Sequence, residues 1–97
     1  MANQRTWSIL KSENYEVLVP TRDSDGHLTS ATVKWADGML GVLTVLVFND
    51  EFEAVDSYKV THIDTDSTPT VTKTLTQPTL TRDSEGTVTN KPELTIT

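Results

Sequence analysis

The run MLGVLTVLVF, Met39 to Phe48, is the longest apolar stretch of the chain, and its reading decides the fold class. It has half the ~20 apolar residues that a membrane helix requires, and Gly41 and Thr44 interrupt it. A buried helix and a buried strand are the two structures open to such a run. Val42, Thr44, Val45 and Val47 favour the strand, because β-branched side chains lose rotamer freedom in a helix and fit a pleated surface. Val42 to Phe48 carries apolar residues on both faces, so it is expected to be a central strand covered on both sides.

The flanking sequence repeats a period of two. Tyr15, Val17 and Val19 alternate with polar or less buried types, as do Thr29, Ala31, Val33 and Trp35, and then Tyr58, Val60 and His62. Turn residues separate these runs: Asp25-Gly26, Asp37-Gly38, Asn49-Asp50 and Glu85-Gly86. The segment NDEFEAVDSY from Asn49 admits a short helix capped by Asp50, with Glu53 reaching back, or a turn leading into a strand. The strand-rich surroundings favour the turn. The fold expected is all-β, a small antiparallel β-sandwich or barrel.

Beyond Thr65 the composition changes. Eleven of the 18 threonines lie after Asp66, and the aliphatic residues thin out to Val71, Leu75, Leu80, Val88, Leu94 and Ile96, with Pro69, Pro78 and Pro92 between them. Burying an aliphatic side chain contributes about 1.5–3 kcal/mol, whereas ordering each backbone residue costs about 1–2 kcal/mol, so this segment cannot fold alone. The division expected is a compact β domain over 1–65 and an extended Thr/Pro-rich C-terminal arm with a β-hairpin over 66–97. Around VTKTLTQPTLT, Thr70, Thr72, Thr74 and Thr76 face one way while Val71, Lys73 and Leu75 face the other. Such a strand suits addition to the sheet of another chain, or an edge of its own.

One phrase occurs twice. Thr21 to Thr29 reads TRDSDGHLT and Thr81 to Thr89 reads TRDSEGTVT, identical at six of nine positions. Shared turn chemistry, two hairpins of one pseudo-symmetric sheet, and hairpins exchanged between subunits all account for it.

The chemistry-bearing residues form no recognised catalytic motif. Aligned on Gly26, a calcium loop would need acidic ligands where Thr21 and Thr32 stand, so DSDG reads as a turn. His27 and His62 lack a marked nucleophile, and His62 with Asp64 and Asp66 reads as structural. No catalytic residue, metal site or cofactor is therefore expected. There is no cysteine, which excludes disulfides and thiolate metal sites, and a net charge of −6 disfavours nucleic acid and anionic membranes. The opening MANQRTWSIL lacks the apolar run of a signal peptide. Trp35 is expected in the core, and Trp7 at a rim or interface.

The short, cysteine-free acidic chain, its compact β portion and the stretch STPTVTKTLTQPTLT resemble the small accessory proteins of bacteriophage particles. That resemblance implies a virion structural protein, assembled in the host cytoplasm, of the capsid-decoration or tail and baseplate type. It would be a homo-oligomer, or bind another virion protein, through its arm. Val71, Leu75, Leu80 and Trp7 are the partner-binding residues expected on this reading. The alternative is an immunoglobulin-like binding module of a surface or adhesin protein.

Overall fold

The computed structural model describes residues 9–97. A helical turn at 9–11 precedes eight strands: β1 (Tyr15–Arg22), β2 (Leu28–Trp35), β3 (Leu40–Asn49), β4 (Ala54–Asp64), β5 (Val71–Gln77), β6 (Thr81–Arg82), β7 (Val88–Asn90) and β8 (Thr95–Ile96). Six of them form one antiparallel sheet in the order β1-β2-β3-β4-β5-β8, and β6 and β7 form a separate two-stranded ribbon. The all-β expectation and the strand reading of Val42 to Phe48 hold. Residues 50–53 are a turn, so NDEFEAVDSY is the bend of the β3–β4 hairpin.

The sheet is open, with β1 and β8 at its edges, so it is not a closed barrel. Nor do the described residues supply a second full sheet to make a sandwich, since the only other sheet is the β6–β7 ribbon. The Cα extents of 47 × 29 × 18 Å reflect this flatness.

The core lies on one face. Register carries Tyr15 across to Trp35, Val33 to Gly41, Ala31 to Leu43, Leu43 to Val60, Val60 to Leu75 and Leu75 to Ile96, which puts these residues in rows on the same side. Leu10, from the helical turn, is fully buried with Val33, Trp35, Val60 and Leu75, and Leu28, Leu94 and Ile96 pack around them. Tyr15 meets the Trp35 ring edge-on at 4.9 Å, a favoured aromatic geometry.

The opposite face carries Val19, Thr32, Lys34, Leu40, Val42, Thr44, Lys59, Ile63, Thr72 and Thr76 by the same register. It is uncovered among the described residues: Val19 is 62% exposed, Leu40 49% and Val42 43%. The expectation that β3 is covered on both sides is therefore not met. Its apolar residues alternate between a packed core and an open surface.

The Thr/Pro-rich segment does not extend away from the first sixty-five residues. β5 zips onto β4 from Asp64↔Val71 to Tyr58↔Gln77, crossing the expected domain boundary. The reason is local. The alternation that suited a foreign sheet finds an unpaired edge on β4, and Leu75 completes the core beside Val60.

Candidate functional site

The repeated phrase builds the same object twice. In each copy the Asp side chain nucleates the turn: Asp23 Oδ1 accepts the amides of Asp25 (2.9 Å) and His27 (3.0 Å), and Asp83 Oδ1 those of Glu85 (2.9 Å) and Thr87 (3.0 Å). The Arg closes the loop from above. Arg22 Nη1 donates to Gly26 O at 3.1 Å, and Arg82 Nη1 to Gly86 O at 2.8 Å. Each Gly sits at positive φ, +83° at Gly26 and +91° at Gly86, where only a residue without Cβ is unstrained. Even the stem threonines match, Thr29 Oγ1 bonding Thr21 O and Thr89 Oγ1 bonding Thr81 O. Convergent turn chemistry extends here to a shared hairpin geometry.

The environments differ. The second hairpin is docked in a socket formed by the β3–β4 hairpin. Arg82 Nε donates to Asp56 Oδ1 at 2.7 Å, and Asn49 Nδ2 holds Asp56 Oδ2 at 3.0 Å. Leu80 N donates to Asp56 O at 2.8 Å. Gly86 lies against Phe52 so closely that a Cβ there would come within 2.8 Å of the ring. Asp56 is buried, and the Arg82 bond, then the Asn49 bond, hold its carboxyl below the usual carboxylate range. The first hairpin is exposed at Arg22 and Gly26, and a Cβ on Gly26 would meet nothing within 4 Å. It joins β1 and β2, and His27 steadies it, its ring stacked on Phe48 at 4.2 Å with Nε2 3.6 Å from Glu53.

Asp23, Asp25 and His27 cluster closely enough to hold a cation, beside a cleft also lined by Leu46, Phe48 and Asp50. The second hairpin forms the same turn with Thr87 in place of His27, so the Asp23 geometry is accounted for by the turn. A second carboxylate–imidazole pair is internal. His62 is 1% exposed, and its Nε2 lies 2.7 Å from Asp37 Oδ2. Partial burial pushes the Asp37 carboxyl up, but the bonds from His62 and the Met39 amide outweigh it and leave the carboxyl below its ordinary value. His62 Nδ1 is buried without a partner among the described residues, and Trp35 lies 5.7 Å away, ring to ring. The pair ties the β2–β3 turn to β4.

The expected partner-binding residues are scattered. Leu75 is wholly buried in the core of its own chain. Val71 is half-buried opposite Asp64, and Leu80 is half-buried and anchored by its amide to Asp56. Trp7 lies outside the described residues. Sequence reasoning missed the socket of Asn49, Phe52 and Asp56. The one signal that pointed to it was the repeated Arg-Asp-Ser phrase, since a residue that recurs with its turn can carry a contact as well as a loop. It also missed the open face, because an alternating strand does not state which of its sides has company.

Comparison with family models, curated proteins and solved structures found no match.

Proposed function

We propose that this chain is a structural assembly module, a small virion accessory protein of the capsid-decoration or tail type, whose open sheet face docks on a neighbouring subunit. The observation that supports the reading is the exposure of Val19 on β1 and of Leu40 and Val42 on β3, on the face away from the core, with Thr32 and Lys34 of β2 between them. Exposed apolar residues gathered on one face and rimmed by polar ones mark interaction sites. A sheet that leaves aliphatic side chains uncovered can be completed by a second layer, and a neighbouring subunit would supply it. The virion setting rests on the resemblance in composition. The immunoglobulin-like alternative gains no particular support, because the sheet is a plain meander and lacks the Greek-key crossover of that sandwich.

The test is a double substitution, Leu40→Lys with Val42→Lys. Both residues are exposed, so the fold should survive, with an unchanged circular dichroism spectrum. Self-association measured by light scattering, or binding to purified particles, should be lost. A wild-type chain that neither associates nor binds particles, or a variant that does both unchanged, would overturn the reading.

A further inference from the structure

The chain contains one socket and two hairpins of the same design. We propose that the Arg22–Gly26 hairpin is a second plug for the Asn49–Phe52–Asp56 socket, used between copies of this chain. In such an exchange the Arg22 hairpin of one copy enters the socket of the next, displacing that copy's own β6–β7 hairpin.

Three observations carry this. First, the two tips share their backbone hydrogen bonds and the Arg-to-Gly closure, so Arg22 Nε is presented on its turn as Arg82 Nε is on its own. Arg82 Nε is the atom that meets Asp56, and Arg22 Nε has no hydrogen-bond partner among the described residues. An arginine–carboxylate bond that is partly desolvated is directional and strong enough to define a docking geometry. Second, Gly26 offers the Cβ-free surface that Gly86 lays against Phe52. Third, the resident plug is a ribbon separate from the six-stranded sheet. β6 and β7 pair only with each other, so their release breaks no ladder of the six-stranded sheet. His27, stacked on Phe48, meanwhile holds the first hairpin in place on its own chain and leaves Arg22 and Gly26 outward.

The copies are not equal. Pro20 stands where Leu80 donates its amide to Asp56 O, so the second plug lacks one hydrogen bond of the first. The tethered hairpin therefore wins in dilute solution, and exchange requires crowding such as a particle lattice supplies. Plug and socket are different surfaces, so the contact is head-to-tail, and it extends into a ring or filament. It does not depend on the open face proposed above.

Two measurements test it. The first is sedimentation velocity of Arg82→Gln, which weakens the resident plug, from ~10 µM to ~1 mM, the scale of effective concentration for a short tether. It is run with the native sheet face and again in the Leu40→Lys, Val42→Lys background, so that association through that face is separated from exchange. Arg82→Gln should associate with rising concentration in both backgrounds, and in the Leu40→Lys, Val42→Lys background adding Arg22→Gln should return it to monomer. In the Leu40→Lys, Val42→Lys background, an Arg82→Gln chain that stays monomeric, or one that associates equally after Arg22→Gln is added, overturns the proposal. The second guards against loss of the socket in Arg82→Gln. The sequence of the Arg22 hairpin is written into the β6–β7 hairpin by Leu80→Pro, Glu85→Asp, Thr87→His and Val88→Leu, leaving Arg82 in place. A melting midpoint closer to wild type than that of Arg82→Gln supports equivalence of the two plugs, and a lower midpoint than that of Arg82→Gln overturns it.

Discussion

Trp35 Nε1 donates to the main-chain carbonyl of Thr61 at 2.8 Å, across the strand that separates them. β3 lies between β2 and β4, and the indole can reach over it only because Gly41 has no side chain in the way. A Cβ on Gly41 would sit 1.8 Å from Thr61 O and 3.1 Å from the indole nitrogen. Thr61 Oγ1 in turn accepts the amide of Val42 at 2.9 Å, satisfying a donor that the displaced ladder leaves free.

Gly41→Ala should accordingly be among the most damaging substitutions in the chain. The obstruction is backbone, which cannot rotate aside, so the loss should reach at least the ~3 kcal/mol upper end of ordinary overpacking. Trp35→Phe should cost less but still about 1–3 kcal/mol from the unpaired buried carbonyl, in addition to lost packing. Urea unfolding of both variants measures this. A Gly41→Ala chain as stable as wild type would contradict the geometry.

The segment after Thr65 should be indispensable to the fold. Leu75 is fully buried between Val60 and Ile96 in register, so Leu75→Ala should destabilise by about 2–5 kcal/mol. Truncation after Thr65 removes β5 and exposes β4, and should abolish the cooperative thermal transition. A truncated chain that still melts cooperatively would show that β1–β4 is a self-sufficient unit.

Stability should fall in acid. Asp37 and Asp56 both have carboxyls depressed in the folded protein, Asp56 by Arg82 and Asn49, and Asp37 by His62 and the Met39 amide against its partial burial. A depressed carboxylate stabilises the fold above its unfolded pKa of about 3.9, and the contribution disappears as pH drops through the folded value. The melting midpoint should decline below about pH 4 on this account. Asp56→Asn should lower the midpoint at neutral pH and flatten the acid limb. An acid limb of undiminished slope in that variant would assign the effect elsewhere.

Calcium or zinc should leave the melting midpoint unchanged. Asp23 Oδ1 already accepts two amides, as Asp83 Oδ1 does in the hairpin that has no histidine. A ligand specific to the folded state must raise the midpoint by mass action. A saturable rise, reversed by a chelator and lost in Asp25→Asn, would establish a cation site at Asp23, Asp25 and His27.

What the sequence determined by itself was local. Alternation at Thr29, Ala31, Val33 and Trp35, and β-branching from Val42 to Val47, specify strands because side-chain direction in an extended chain depends only on neighbouring residues. Asp-Gly and Glu-Gly mark the turns for the same reason, and the TRDS phrase carries its hairpin wherever it occurs. The open face was not legible, because an apolar strand reads alike whether one or both of its sides are covered. Nor was the place of β5, since main-chain hydrogen bonds accept an alternating strand equally from the same chain or another. The Asp56–Arg82 contact joins residues twenty-six apart with no pattern between them. Only the tertiary structure decided these, because each depends on which surfaces meet after the strands have formed.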